Sequence, residues 1–198
     1  MGRKRLHDDA LRERLLSRAA AAVFARGADS LSLRALAADA GTSTAAVYSL
    51  FGGKPGLLAA LYAQAFRRFG DRQAAVGASD DPVEDIVRLG LAYRESAVAD
   101  PHGYRVMFGD DARPASLSAK RTEEGAATFL PLLDAVRRSV EAGRLPRRPE
   151  PEAIAAALWA NVHGLVSLEL GELLPPQAGD PAEIFETAVR ATVAGWST

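Results

Sequence analysis

Residues 31–54 read LSLRALAADAGTSTAAVYSLFGGK, and this stretch decides how the N-terminal part of the chain folds. Ser32 stands just before apolar residues spaced three and four apart, and Ser43 stands before a second such set. Serine at such a place caps a helix, and glycine commonly ends one. The stretch therefore predicts two short helices, 33–40 and 44–50, separated by a turn.

A further helix is expected on the N-terminal side of this stretch. Apolar residues recur at helical spacing from Leu11 to Val23, and Gly27 follows where a left-handed cap would lie. This pattern predicts a first helix over 8–26. Three short helices with a glycine between the last two form the helix-turn-helix plan. The residues of the third helix that are expected to face the other two are Val47, Leu50 and Phe51.

The remainder of the chain is also expected to be helical, because no segment alternates at a period of two between turn signals. Gly52 and Gly53 interrupt the chain, and Pro55 suits the first turn of a long helix that joins two domains. The later helices are predicted over 55–75, 82–99, 104–108, 116–142, 151–173 and 181–196. The expected fold is all-α, with a helix-turn-helix domain over 1–54 and a helical-bundle domain over 55–198.

Charge and composition restrict the classes of function. Residues 1–72 contain 12 Lys and Arg against 6 Asp and Glu, whereas the remainder contains 12 against 19. A basic front end with an acidic remainder favours a nucleic-acid-binding domain followed by a domain that does not approach phosphates. The chain contains no cysteine, which excludes disulfides, thiolate metal ligands and a thiol nucleophile.

No membrane span or signal peptide is expected. The apolar stretch 153–166 is interrupted by Asn161 and His163, and it is shorter than the roughly 20 residues that a span needs. The basic start is followed by His7 and two aspartates rather than by an apolar segment. The protein is therefore expected in the cytoplasm.

The stretch 31–54 closely resembles the DNA-binding signature of the TetR family of repressors, and the likeness begins at residues 20–27 and continues into Leu57 and Leu58. The resemblance implies a transcriptional regulator that binds double-stranded DNA and forms a homodimer. It implies no enzyme activity, no catalytic residue, no cofactor and no metal. The expected function is that of a repressor released from a palindromic operator by a small, mostly apolar effector.

Each residue that carries the resemblance has a physical use at DNA. Helix N-termini at Ser32 and Ser43 offer N–H groups to phosphates, small residues let the third helix approach base edges, and Tyr48 and Lys54 match phosphate-binding positions. The predicted DNA-binding residues are Ser32, Arg34, Ser43, Thr44, Ala45, Ala46, Tyr48 and Lys54, with a basic arm at Arg3, Lys4 and Arg5. The structural alternatives are that the serines only cap helices, Tyr48 is a core aromatic, Lys54 is merely solvated and the arm has no contact with DNA.

The family pattern is broken at Thr42, where Val is usual, and at Leu50, where His is frequent. No Arg or Lys lies between Leu36 and Phe51, so readout of bases is expected to be limited. Phosphate contacts and DNA shape are then expected to supply much of the affinity.

The last two predicted helices each have an apolar face, and family members pair such helices in a four-helix dimer interface. A dimer would place two recognition helices about one DNA turn, roughly 34 Å, apart. The alternative is that both faces serve only the core of one chain. The predicted interface residues are Ile154, Leu158, Leu165, Leu168, Ile184, Ala188, Val189 and Val193.

Trp159, His163 and Gly164 resemble a Trp-His-Gly signature of one TetR subgroup. Trp159 and His163 are four residues apart, so they share a helix face and could line a cavity. The alternative is that His163 is a hydrogen-bonded core residue. The predicted effector-binding residues are Tyr93, Tyr104, Met107, Phe108, Phe129, Trp159 and His163.

Two other functions compete with this interpretation. A helix-bundle metal enzyme would use Glu-x-x-His pairs, but Lys4, Ala99 and Ala160 stand three residues before the three histidines. A helix-turn-helix protein that acts only by recruiting another protein, without a small ligand, stays open, and a closed C-terminal domain without a cavity would favour it.

Overall fold

The computed structural model describes the backbone of residues 2–109 and 118–197 and the side chains of residues 8–109 and 125–197. Within these ranges the chain is helical and contains no strand, which confirms the all-α prediction. The side chains of the predicted basic arm, Arg3, Lys4 and Arg5, lie outside the described residues, as do residues 116 and 117 at the predicted start of a later helix. The helices are α1 (Gly2–Arg26), α2 (Leu33–Asp39), α3 (Thr44–Phe51), α4 (Lys54–Ala75), α5 (Pro82–Ala99), α6 (Pro101–Phe108), α7 (Ser118–Glu141), α8 (Pro151–Leu170) and α9 (Pro181–Trp196).

The start of α1 lies at Gly2, six residues before the predicted start. Two further helix ends, in α6 and α8, differ from the prediction by three residues each, and each has a local reason. The Asp100 side chain accepts a hydrogen bond from the Gly103 N–H at 2.9 Å, so α6 begins three residues earlier than predicted. The aspartate and the proline after it, which the sequence analysis interpreted as a break, are a cap and a first turn. At the end of α8, Glu172 adopts a left-handed φ of 54° and the Leu173 N–H bonds back to the Leu168 carbonyl. This closure ends α8 at Leu170.

The described chain divides into two compact units, and each has its own core. The N-terminal unit comprises Met1–Arg67 and Asp100–Glu124. In it α1 packs against α2 and α6, and α2 packs against α3. The side chains of this core that have no solvent exposure are Leu15, Leu16, Ala19, Val47 and Leu57.

The C-terminal unit comprises Arg68–Ala99 and Gly125–Thr198. In it α5 packs against α8 and α9, which also pack against each other. A Cβ atom added to Gly90 would lie 3.0 Å from a methyl group of Val189, so glycine permits the close approach of α5 and α9. Because α4 and α7 each continue from one unit into the other, the predicted division of function after residue 54 stays a prediction.

An unusual feature of the C-terminal unit is a fully buried carboxylate, that of Asp85. It accepts hydrogen bonds from the Ser79 N–H at 2.8 Å and the Ser79 hydroxyl at 2.7 Å, and from Arg88 and Arg138 at 3.0 Å each. Burial alone would raise the pKa of Asp85, but the bonds from Ser79 and Arg138 outweigh it and hold the pKa below its ordinary value. The charged carboxylate thereby joins the start of α5 to α7.

Replacement of this carboxylate tests its contribution to the fold. We expect Asp85→Asn to lower the free energy of unfolding by about 2–4 kcal/mol at about pH 7, because Arg138 loses its buried counter-charge. Since the pKa is lowered in the folded state, the carboxylate stabilises the fold above its unfolded pKa and loses that effect as the pH falls through the folded pKa. The free energies of unfolding of the two proteins, measured in urea, should therefore converge as the pH falls below the ordinary pKa of an aspartate.

The control is Glu152→Gln, which removes a carboxylate from the exposed Arg137–Glu152 pair and should leave the unfolding midpoint unchanged. Equal midpoints for Asp85→Asn and the unmodified chain at neutral pH would contradict a stabilising role for the buried cluster.

Candidate nucleic-acid interface and effector site

Two serines cap the paired short helices, as predicted. The Ser32 hydroxyl accepts a hydrogen bond from the Ala35 N–H at 3.3 Å, and the Ser43 hydroxyl accepts one from the Ala46 N–H at 3.1 Å. Gly52 ends α3 with a left-handed φ of 70°. The sequence therefore fixes both ends of α3 locally, before any packing is considered.

One side of α3 is buried, and this decides which side faces outward. Val47 has no exposure, Phe51 is buried with the Arg12 guanidinium 5.5 Å above its ring, and Leu50 is half-buried. The residues on the outward side are small except for one tyrosine, and the exposed ones are Ala45, Tyr48 and Ser49. A face of this kind lets a helix approach a surface closely.

Tyr48 is 56% exposed, which argues against the alternative that it is a core aromatic. Its ring lies beside Gly53, where an added Cβ would come within 3.3 Å of Cε1, and Gly53 has a φ of 120°. The backbone conformation therefore favours glycine at position 53, and a larger residue there would also press against the tyrosine ring. The ring is therefore positioned beside the chain turn, and more than half of the residue is exposed to solvent.

Lys54 is half-buried and has a structural contact that the sequence analysis did not foresee. Its Nζ donates a hydrogen bond to the Asp29 carbonyl at 2.7 Å, which joins the start of α4 to the loop between α1 and α2. An ammonium has three donors, so this bond leaves two for a phosphate. The predicted phosphate contact stays a prediction, beside a positioning role.

The other predicted DNA-binding residues lie on the same two helices. Arg34 is exposed on α2, Ser32 and Ser43 are exposed at the two caps, and Thr44 and Ala46 are half-buried at the start of α3. The sequence analysis did not name Ser49, which is exposed one turn after Ala45. Helical periodicity from Ala45 could have identified it.

The predicted effector-binding residues do not all lie in one unit. Tyr104, Met107 and Phe108 are on α6 in the N-terminal unit. There the rings of Tyr104 and Phe108 are 4.9 Å apart, Phe66 lies 6.1 Å from Phe108, and the Tyr62 hydroxyl donates to the Met107 carbonyl. Tyr104 and Met107 are buried in this unit and Phe108 is half-buried, and their contact with an effector stays a prediction.

The other four predicted effector-binding residues lie in the C-terminal unit and are linked through successive contacts. The Tyr93 hydroxyl and His163 Nδ1 lie 3.0 Å apart, Trp159 is 5.9 Å from the His163 ring, and Phe129 is 6.2 Å from Trp159. Phe69, which the sequence analysis missed, meets Tyr93 edge to face at 4.9 Å. We call Phe69, Tyr93, Phe129, Trp159 and His163 the aromatic cluster.

Burial lowers the pKa of His163, so the imidazole is neutral at neutral pH. A neutral imidazole bonded to a tyrosine hydroxyl fits a polar group inside an apolar site, and it also fits the alternative of a hydrogen-bonded core histidine. The aromatic cluster thus combines a large apolar surface with a short polar connection between α5 and α8.

The residues predicted for the dimer interface separate into two groups. Ile154, Leu158, Val189 and Val193 are buried within the single chain, which favours the alternative that they serve its own core, and their place in a dimer interface stays a prediction. Helical spacing had identified the apolar side of each helix without showing that α5 covers it. Leu168 is exposed, and Leu165, Ile184 and Ala188 are half-buried.

The uncovered side of α8 is itself apolar. In the described part of the chain α8 is the one helix long and apolar enough, by length and composition, to cross a membrane, although the sequence predicted no span. Its mean hydropathy is 1.4 over the most apolar window, of which only 28% is buried. A helix that packs against another protein surface can have the same length and hydropathy. The exposed apolar and small residues on this side are Ala153, Ala156, Ala157, Ala160, Gly164 and Leu168.

Comparison with known proteins yields two family matches. The model described as "Bacterial regulatory proteins, tetR family" matches residues 16–61, which include α2 and α3. The model described as "Tetracyclin repressor-like, C-terminal domain" matches residues 86–192, more than half of the chain. These matches do not test membership of the Trp-His-Gly subgroup suggested by residues 159–164, which stays a prediction.

Individual proteins give the same pattern. An HTH-type transcriptional regulator of Mycobacterium tuberculosis (strain ATCC 25618 / H37Rv) is 27% identical over 200 residues, covering 85% of this chain and 84% of the relative. A solved structure of a protein of unknown function from Rhodococcus sp. RHA1 is 28% identical, with a TM-score of 0.79 and coverage of 95% and 96%. The TetR family transcriptional regulator PfmR from Thermus thermophilus has the same fold, at 20% identity, a TM-score of 0.75 and coverage of 91% and 97%.

Two substitutions separate contact with DNA from support of the fold. Tyr48→Phe should weaken binding to a labelled duplex of about 30 base pairs by a factor of about 5 per protomer, since one hydrogen bond is worth about 1 kcal/mol. The thermal midpoint of this variant should be unchanged because more than half of Tyr48 is exposed to solvent. Lys54→Met should weaken duplex binding, because it removes a positive charge, and should also lower the thermal midpoint, because it removes the hydrogen bond to the Asp29 carbonyl.

Fluorescence anisotropy over a range of salt concentrations and thermal unfolding provide the two measurements. Arg147→Met removes a charge from an exposed position of the C-terminal unit and serves as the control. If Tyr48→Phe bound the duplex as tightly as the unmodified chain at every salt concentration, the assignment of Tyr48 to the DNA surface would be wrong.

Proposed function

We propose that this chain, which belongs to the TetR family of bacterial transcriptional regulators, is a repressor that binds a palindromic operator as a homodimer in the cytoplasm and releases it when a small effector binds the C-terminal unit. The observation that carries the proposal is the outward face of α3, where small side chains surround an exposed tyrosine. Such a helix can enter the major groove.

Contacts with phosphates supply most of the affinity in this proposal. The Ser43 hydroxyl occupies the Ala46 N–H, so the Thr44 and Ala45 N–H groups at the start of α3 are available to a phosphate. Tyr48, Lys54 and Arg34 add side-chain donors. Since α3 has no basic or amide side chain, sequence preference comes from close contact of its small residues with base edges and from DNA shape.

Dimerisation uses the uncovered sides of α8 and α9. A Cβ added at Gly164 or Gly195 would meet no atom within 4 Å, so packing within one chain gives no reason for glycine at either position. Glycine in a helix costs about 1 kcal/mol relative to alanine, and a closely packed partner helix offsets that cost. The proposed interface is formed by Ala153, Ala157, Ala160, Gly164 and Leu168 of α8 with Ile184, Ala188, Ala191 and Gly195 of α9.

The effector acts from the aromatic cluster. Phe69 belongs to α4, so a molecule bound against the cluster touches the helix whose first residues are joined to the α1–α2 loop by Lys54. Binding lowers operator affinity only if the effector prefers the arrangement that does not fit DNA. The decrease in operator affinity is limited by the difference between the effector's affinities for the two arrangements.

A substitution at the proposed interface tests the homodimer. Gly164→Glu has room within the single chain and should retain its thermal midpoint, but two carboxylates buried against each other should prevent pairing. We expect a monomer in sedimentation velocity, and a loss of at least roughly 100-fold in affinity for a duplex selected from random DNA, because only one recognition helix remains per molecule.

The matched control is Ala127→Glu, which places a carboxylate at an exposed position of α7 and should leave both measurements unchanged. A Gly164→Glu protein that remains dimeric would refute this interface. A monomer that binds the selected duplex with unchanged affinity would refute the proposed dimeric mode of DNA recognition.

A further inference from the structure

Gln73 on α4 is a buried side chain with an unused hydrogen-bond donor. Only 5% of the residue is exposed, and its Nε2 atom has no hydrogen-bond partner among the described residues. Gln64 on the same helix is 8% exposed, but its Nε2 donates to both carboxylate oxygens of Glu13, at 2.7 and 2.8 Å. A buried donor without an acceptor loses hydration and gains nothing in return. The two glutamines therefore differ in one respect, which is whether the protein supplies an acceptor.

The position of Gln73 relates it to the aromatic cluster. It lies four residues after Phe69, so the two side chains share a face of α4, and helical side chains lean towards the preceding turn. The Phe69 ring meets Tyr93 edge to face, and the Tyr93 hydroxyl bonds His163. The unused amide thus lies on the side of α4 that borders the cluster.

A second buried polar atom without a hydrogen-bond partner among the described residues, Asn161 Oδ1, does not border the aromatic cluster. Among the described residues Asn161 Oδ1 is unpaired, but Asn161 is two residues from both Trp159 and His163. Residues two apart on a helix point in nearly opposite directions. Asn161 therefore faces away from the cluster, and Gln73 is the donor that concerns the effector.

We propose that Gln73 donates a hydrogen bond to an oxygen of the effector, and that the effector is an uncharged molecule with an apolar body and a carbonyl, ester, amide or ether oxygen. This inference rests on the proposed function, which assigns the effector to the aromatic cluster. Neither Gln73 nor any member of the cluster carries a charge at neutral pH. A carboxylate or phosphate would lose more hydration free energy on entry than one amide donor returns.

Paired substitutions test whether the donor is reserved for a ligand. In the ligand-free chain, Gln64→Leu should lower the thermal midpoint by a few degrees, because it removes the two hydrogen bonds that this buried amide donates to Glu13. Gln73→Leu should leave the midpoint unchanged or raise it, because it replaces an unsatisfied amide by an apolar group of similar size. A decrease as large as that of Gln64→Leu would show that the Gln73 amide is already satisfied, by protein or by a structural water, and would overturn the proposal.

The second test uses prodan, an uncharged naphthalene ketone whose emission moves to longer wavelength when its carbonyl accepts a hydrogen bond. We expect the unmodified chain to bind prodan about tenfold more tightly than Gln73→Leu, and emission from the variant complex to lie at shorter wavelength. Dimethylaminonaphthalene, which lacks the ketone, should bind both proteins equally.

The proposal is overturned if prodan does not bind the unmodified chain, or if affinity and emission are the same for both proteins. Binding of a selected DNA duplex is measured in the same samples without prodan. Failure of DNA binding contradicts the proposed function, whereas failure of the prodan comparison alone contradicts only the chemistry assigned to Gln73.

Discussion

Burial of one side of α3 is the constraint on which the rest of the arrangement depends. Val47 has no exposure and Phe51 is covered, so α3 has one permitted orientation in the N-terminal unit. Turning the helix to expose Val47 would lose the burial of an apolar side chain, worth about 1.5–3 kcal/mol. The caps at Ser32 and Ser43 fix where the helices begin, and packing fixes which way they face. The small residues of α3 thus lie on the side of the helix that the core does not cover.

Helix α4 extends that constraint along the chain, because one continuous helix has contacts in both units. In the N-terminal unit Lys54 bonds the Asp29 carbonyl and Gln64 bonds Glu13. In the C-terminal unit Phe69 packs against Tyr93, and Arg72 donates to the Ser96 carbonyl at 3.2 Å. A coupling between ligand and DNA requires an element whose position both can bias. Helix α4 has specific hydrogen bonds and ring contacts in each unit, so it is the element that we propose for such a coupling.

Rules that use only nearby residues predicted the helices well. They did not predict which other helix or chain packs against a given helix. Serine and glycine signals gave the ends of α2 and α3 because capping uses groups within a few residues. The apolar sides of α8 and α9 were identified, but periodicity does not state whether α5 or a second chain covers Ile154 or Val189. The ring-rich segment of α6 was predicted to contact the effector, and aromatic content did not reveal that this helix belongs to the N-terminal unit; the contact itself stays a prediction. Gln73 gave no signal, because nothing in the sequence distinguishes a buried glutamine from a solvated one.

The most direct test of the central claim uses the absence of cysteine from the chain. A DNA-cleaving reagent is attached to the single thiol of Ser49→Cys on the outward face of α3, and the protein is bound to a duplex selected from random DNA. The account predicts cleavage at two places about one helical turn, roughly 34 Å, apart and related by two-fold sequence symmetry. Absence of cleavage from Ser49→Cys on a duplex that is bound, together with cleavage from the same reagent at Ala127→Cys in the C-terminal unit, would contradict it.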